Sequence, residues 1–138
     1  EVYRTFTFKK QSLNAMVASV TATFSALTRR YDILHFHALG PSVMIVLAKL
    51  FGRKTVATVH GLDWQRAKWN RFASAYLKLG ERVIAKYADE VIVLSENVKE
   101  YFKTTYGRET TFIENAIRPI KPLQPFLIAE RFGLEKHG

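Results

Sequence analysis

His35-Phe36-His37-Ala38-Leu39-Gly40-Pro41-Ser42 and Thr58-Val59-His60-Gly61-Leu62-Asp63-Trp64 are two versions of one arrangement. Each continues a short run of apolar and β-branched residues, Ile33-Leu34 before the first and Thr55-Val56-Ala57 before the second. Each then sets histidine, glycine and a polar side chain where a strand ends and a helix is about to begin. Short apolar runs of this kind read as strands of a buried parallel sheet. In such a sheet, ligands bind outside the carboxyl ends of the strands. Two such ends, both carrying histidine, point to a site as well as a scaffold.

The pattern extends in both directions. Val2 to Phe8 alternates as a strand does. Ser12 fits the N-cap of a helix running to about Arg30, with Leu13, Met16, Val20, Phe24 and Leu27 forming its apolar face. Gly40-Pro41 opens a second helix that runs to Phe51, with Pro41 in the first turn and Gly52 as C-terminal cap. After a loop from His60 to Gln65, a long helix is expected from about Arg66 to Tyr87. Glu90 to Leu94 is a further buried strand. Ser95 or Glu96 opens a helix ending near Gly107, and Thr110 to Ile113 makes a last short strand before the turn Glu114-Asn115-Ala116. Pro119, Pro122 and Pro125 form a stiff irregular segment, and a short helix is expected over about Phe126 to Phe132. The alternation predicts an α/β fold: a Rossmann-like parallel sheet with helices on both faces. Residues 1–118 are read as one domain and 119–138 as a linker with the start of another.

Composition narrows the chemistry. At 138 residues and 48% apolar, the chain suits one domain or most of one. It has no cysteine, which excludes disulfides and thiolate metal sites and fits a reducing compartment. No run is long and apolar enough to span a bilayer, and no signal peptide is visible. The chain opens at Glu1 with strand-like residues, as a piece of a longer protein would. The net charge of +9 favours polyanionic partners such as nucleic acid, anionic lipid or phosphorylated ligands.

His35 and His37, two apart on a strand, share one face. With His60 and Asp63 they could ligate a transition metal; alternatively His35 is an inert, hydrogen-bonded sheet residue. At His60-Gly61, glycine permits a positive φ and close approach of a ligand, and the imidazole can hydrogen-bond a sugar hydroxyl or phosphate or transfer a proton. A turn glycine beside a capping histidine is the competing reading. Gly40-Pro41-Ser42 offers amides at a helix N-terminus, suited to an anion or to capping by Ser42. Neither a GxGxxG turn nor a phosphate loop is present: Lys54-Thr55 and Lys103-Thr104 lack the required glycines.

The long helix carries Arg66, Lys68, Arg71, Lys78, Arg82 and Lys86, with Glu81 as its one clear acid. Trp64, Trp69, Phe72, Tyr76 and Leu79 are interleaved. This suits an anionic membrane surface, single-stranded nucleic acid, or a solvated basic face above an aromatic core face.

Taken together, YDILHFHALGPS, TVHGLDWQRAKW, LKLGE, ADEVIVLSENVKEYF and FIENAI, from Tyr31 to Ile117, resemble the N-terminal domain of family 4 glycosyltransferases. These are two-domain GT-B enzymes, and the likeness is nearest to bacterial members that build surface polysaccharides. AERFGLEKHG resembles the entry into their second, donor-binding domain. The resemblance implies retaining transfer of a sugar from a nucleotide-sugar donor to a glycan or lipid-linked acceptor, with the nucleotide-sugar as substrate and no other cofactor. It implies that His60 touches the reacting sugar and is catalytic, and that Gly61 gives it room. His37, Gly40 and Ser42 match an acceptor-side loop, while Asp63, Trp64 and Arg66 lie where an acceptor sugar or phosphate would be met. Ser95 and Asn115 match the cleft rim. The family's glycine-rich first turn and its second domain are missing, so the fragment alone is expected to be inactive.

The expected setting is cytoplasmic, peripheral on the inner face of the membrane, without nucleic acid. Two alternatives belong to other classes. One is a metal-dependent hydrolase using His35, His37, His60 and Asp63; the other is a non-catalytic basic module for anionic membranes.

Overall fold

A computed structural model describes residues 11–29, 31–65 and 71–116. The expected strand from Val2 to Phe8, the proline segment and the final helix lie outside these residues. What is described is a four-stranded parallel sheet in the order β1 (Ile33–His37), β2 (Lys54–Val59), β3 (Glu90–Val93) and β4 (Thr111–Phe112). Helix α1 (Gln11–Leu27) precedes the sheet, and α2 (Ile45–Leu50), α3 (Arg71–Tyr87) and α4 (Glu96–Tyr106) connect successive strands. This is the Rossmann-like α/β architecture expected from the alternation. Parallel neighbours need such crossovers, because a tight turn cannot return the chain to the same end.

The register sets the chemistry. His35 pairs with Val56 and His37 with Thr58 across β1 and β2, and Val59 pairs with Val93 across β2 and β3. On β1, Leu34 and Phe36 are buried while Ile33, His35 and His37 lie on the more open face. Leu34, Phe36, Ala57, Val59, Val91 and Val93 join Ile45, Ala48, Val83, Ile84 and Phe102 in one core. Fully burying a side chain of this size contributes roughly 1.5–3 kcal/mol, so the pleat alone fixes which face of β1 turns inward.

Both predicted glycine caps are present. Gly52 at φ 68° and Gly107 at φ 61° take the left-handed conformation at helix ends. Each is followed by an amide that reaches back into its helix, Arg53 to Ala48 and Arg108 to Phe102. Ser95 caps α4, accepting from the Val98 N–H at 3.4 Å.

Three expectations need correction. The helix after Gly40 is not continuous: Pro41–Met44 forms a 3₁₀ turn, and α2 begins only at Ile45. Ser12 lies inside α1 rather than before it. The predicted apolar face of α1 is also turned. Val20 and Phe24 are exposed, whereas Thr23 is buried with its hydroxyl donating to the Ser19 carbonyl at 2.7 Å. Ala18, Ala22 and Ala26, four residues apart, give α1 a small-residue strip that faces β1 across an open cleft.

Candidate functional site

The carboxyl ends of β1 and β2 bring three histidines into a row. The imidazoles of His35 and His37 stack with centroids 4.3 Å apart, and His37 lies 5.7 Å from His60. His37 Nδ1 is 3.4 Å from His60 Nε2, and His35 Nε2 is 2.8 Å from the Thr58 hydroxyl. Burial pushes the His35 imidazole below the ordinary histidine range, and repulsion from His37 adds to the shift. The His35 ring is tied to β2 through Thr58, and His35, His37 and His60 all lie on the exposed side of the strand ends.

The three rings do not converge on a point. His35 turns its Nε2 to Thr58, and only one nitrogen pair faces across the strands. Among the described residues, no group of three or more His, Asp or Glu side chains is placed to hold a metal ion. The geometry gives the metal-dependent hydrolase no support.

Beyond the strands, the backbone shapes the floor of the site. Ala38 adopts φ 68°, an uncommon conformation for a residue with a Cβ. Its amide donates to the Thr58 carbonyl at 3.0 Å, so the chain leaves β1 still tied to β2 and then turns sharply. The turn exposes the Ala38 carbonyl to the Ser42 hydroxyl, which donates to it at 2.7 Å. Ser42 is fully buried, and this bond satisfies its hydroxyl. It was expected to touch substrate; its position instead makes it a brace for the turn. Gly40 sits at φ −60°, and a Cβ there would meet only Leu77 and Tyr76 at ordinary contact distance. Its lack of a side chain is not required by the fold. Gly61, at φ 155°, has nothing within 4 Å of a Cβ and leaves open space beside His60.

Asp63 begins a 3₁₀ turn with its amide donating to the Gly61 carbonyl at 3.0 Å. Trp64 follows, half-buried against the core. Its indole N–H donates to Glu81 Oε2 at 2.7 Å, and the Lys78 ammonium lies 4.2 Å over its ring. Trp64 was also expected at the substrate; its polar atom is instead committed to α3. Arg66 lies outside the described residues. Ser95 follows β3 and Asn115 follows β4, so the topology places them one and two strands over from His60. The Ser95 hydroxyl serves the α4 cap, and Asn115 is exposed.

Sequence reasoning noted Glu81 only as an acid on a basic helix. Glu81 is 1% exposed and accepts from Trp64, from the Tyr101 hydroxyl at 2.8 Å and from the Tyr106 hydroxyl. Burial, then the bond to Glu81 and its charge, push the Tyr106 phenol well up, and burial followed by the same bond raises Tyr101. The signal was in the spacing: Leu77, Glu81, Ile84 and Ala88 fall on one helical stripe, so a lone acid sat on the buried face.

An open cleft of about 540 Å³ runs between α1 and β1. Its walls are Ala18, Ala22 and Thr23 on one side and His35, Phe36 and His37 on the other, with Pro41 at its end. His37 thus borders both this cleft and His60. On the far side of α3, Phe72 is 77% and Leu79 47% exposed, among exposed Arg71, Lys78, Arg82 and Lys86. Of the aromatics that one reading gave to a core face, Trp64 packs against the core while Phe72 does not; Leu77, Gly80, Glu81 and Ile84 turn inward.

A model of the family described as Glycosyltransferase Family 4 matches residues 1–120. No curated protein matches the chain.

Proposed function

The chain belongs to Glycosyltransferase Family 4, and from that membership we propose that it is the acceptor-side domain of a retaining enzyme that uses a nucleotide-sugar donor. Residues 1–118 form this domain, and 119–138 lead toward the domain that binds the donor. The acceptor is a glycan or lipid-linked glycan of bacterial surface polysaccharide synthesis. The supporting observation is the pairing of His37 and His60 at adjacent strand ends, where a parallel sheet receives its ligand.

The division of labour follows from the chemistry. The bond from the anomeric carbon to the donor diphosphate breaks as an acceptor hydroxyl attacks from the same face, its oxygen bonding the anomeric carbon and its proton passing to the departing diphosphate. Charge develops on the departing phosphate, and its stabilisation falls to the partner domain. This domain contributes position: His60 contacts the reacting sugar, Gly61 leaves the sugar room, and His37 with the α1–β1 cleft lines the acceptor side. Asp63 and Asn115 stand at the rim. Ser42, Ser95 and Trp64 hold the loops that present these groups.

The basic outer face of α3, with Phe72 and Leu79 exposed among cations, carries the proposal that the enzyme sits on the inner face of the cytoplasmic membrane, where a lipid-linked acceptor resides. Among the described residues, no helix is long and apolar enough to cross a membrane.

The direct test is His60→Ala in the enzyme that carries this domain, assayed for sugar transfer with the fold checked by circular dichroism. Turnover is expected to fall by about 10²-fold or more, as for loss of a positioned polar group at a reacting centre. Unchanged turnover removes His60 from the chemistry.

A further inference from the structure

We infer that His37 is a positioning residue that holds His60 as its Nε2–H tautomer, so that Nδ1 is the nitrogen His60 offers to a substrate hydroxyl. The inference rests on the proposal that His60 meets the sugar. The tautomer of an imidazole is set by the hydrogen bond that its other nitrogen makes. Here the nitrogen already engaged is Nε2, 3.4 Å from His37 Nδ1.

A neutral pair of imidazoles holds one proton on that line, and there are two ways to place it. If His60 Nε2–H donates to His37 Nδ1, both rings are Nε2–H tautomers. If His37 Nδ1–H donates to His60 Nε2, both rings are Nδ1–H tautomers. A free neutral histidine side chain prefers the Nε2–H form. The first arrangement therefore satisfies the preference of both rings, and the second violates it twice.

The partner ring is held in place. His37 stacks on His35 with an interplanar angle of 32°, and His35 is anchored through Nε2 to Thr58, a buried residue of β2. Across the cleft, α1 presents Ala18, Ser19, Ala22 and Thr23, all uncharged, and the Thr23 hydroxyl donates to the Ser19 carbonyl. His37 can thus act as the acceptor for His60 through Nδ1 while the rest of its ring borders the α1–β1 cleft.

The consequence is a choice of ligand chemistry. A neutral His60 held in this form presents a lone pair, not an N–H. It accepts from a sugar hydroxyl and offers no donor to a phosphate oxygen. The ligand group it selects is therefore a neutral hydroxyl.

The experiment is long-range ¹H–¹⁵N correlation spectroscopy of the histidine-labelled chain, above the pH at which the imidazoles titrate. His60 is expected to show a protonated Nε2 and an unprotonated Nδ1. His37→Phe keeps a ring to stack on His35 but removes the acceptor, and the two nitrogens of His60 are then expected to average between tautomers. His37→Asn sets an amide oxygen near the position of Nδ1 and is expected to restore the single form. A protonated Nδ1 in the unmodified chain overturns the inference. So does a His60 pattern that His37→Phe leaves unchanged or that His37→Asn fails to restore. If His37→Phe does not fold, the unmodified chain and His37→Asn still decide it. The spectra need no turnover: a fully active His60→Ala enzyme would sink the sugar-contact reading and leave the tautomer result standing.

Discussion

Gly80 on α3 lies directly against the Leu39 carbonyl: a Cβ at position 80 would come within 1.9 Å of that oxygen. The contact joins the longest described crossover helix to the turn that carries the chain out of β1. The neighbour is backbone, so no side-chain rotation can relieve a clash. Overpacking of a well-ordered interior costs roughly 1–3 kcal/mol, and a collision with fixed backbone belongs at or above the upper end. Gly80→Ala is expected to lower the denaturation midpoint sharply or abolish folding. Gly40→Ala, whose Cβ would stand 3.7 Å from Leu77, should stay within about 1 kcal/mol of the parent. Equal effects in urea titrations of the two variants would contradict this geometry.

A second prediction concerns the loop after His60. The buried Glu81 carboxylate collects the Trp64 indole N–H and two tyrosine hydroxyls, and so ties that loop to α3 and α4. Glu81→Leu leaves three half-buried donors without their acceptor. Each stranded group costs roughly 1–3 kcal/mol, so this substitution should be among the most damaging in the domain. Trp64→Phe removes one donor and keeps the ring, and should cost about 1 kcal/mol. It should also speed amide hydrogen exchange at Gly61 and Asp63 more than in α4. Uniform acceleration across the domain would mean that Trp64 contributes stability without positioning the loop.

The sheet was legible because it depends on residue type and spacing. β-branched runs marked the strands, glycines marked the ends of α2 and α4, and the two-residue spacing of His35 and His37 placed them on one face. The misread residues depend on partners distant in sequence or on backbone turns. Ser42 looks like a ligand group until Ala38, in its left-handed conformation, turns a carbonyl toward it. Trp64 was placed where an acceptor would be met, and its indole N–H is taken by Glu81, seventeen residues on. Periodicity likewise named Val20 and Phe24 as the inner face of α1, yet both are exposed and Thr23 is buried in their place, with Ala18, Ala22 and Ala26 lining the cleft toward β1. Residue type tells how many hydrogen bonds a side chain can make, but not where they go.

Acid stability should be governed at the opposite end of the sheet from the histidines. Asp89 accepts from the Lys49 ammonium at 2.8 Å, from the Thr55 amide at 2.7 Å and from the Thr55 hydroxyl at 3.0 Å. The Lys49 bond foremost, with those from Thr55, pushes its carboxyl from 3.8 down to about 2 against the opposing cost of burial. A folded-state value below the unfolded one means that the stabilisation is complete above pH 4 and is lost as pH falls toward 2. The pair is partly exposed, so solvent screening holds its worth to about 1 kcal/mol. Asp89→Asn should flatten the fall in stability between pH 4 and pH 2 while retaining one acceptor for Thr55. Asp89→Ala should cost more at neutral pH, because it strands the buried Thr55 amide. An unaltered acid limb in Asp89→Asn would assign acid sensitivity to other carboxylates.

Membrane attachment, if it occurs through α3, has a signature that separates charge from apolar insertion. Arg71, Lys78, Arg82 and Lys86 would meet anionic headgroups, each contributing about 1 kcal/mol near a charged surface and losing most of it at high salt. Phe72, at 77% exposure, would supply a salt-independent part by inserting its ring. Co-sedimentation with vesicles containing anionic lipid should therefore show binding that weakens steeply with ionic strength and vanishes on neutral vesicles. Arg82→Glu should reduce the salt dependence together with affinity. Phe72→Ser should weaken binding at every ionic strength and leave the salt slope unchanged, because it removes no charge. Lys78 is a poor choice for this test, since its ammonium also covers the Trp64 ring and its loss would disturb the loop after His60. No binding to anionic vesicles at low salt would remove the membrane from the proposed function, and the outer face of α3 would then be a solvated surface with two exposed apolar residues.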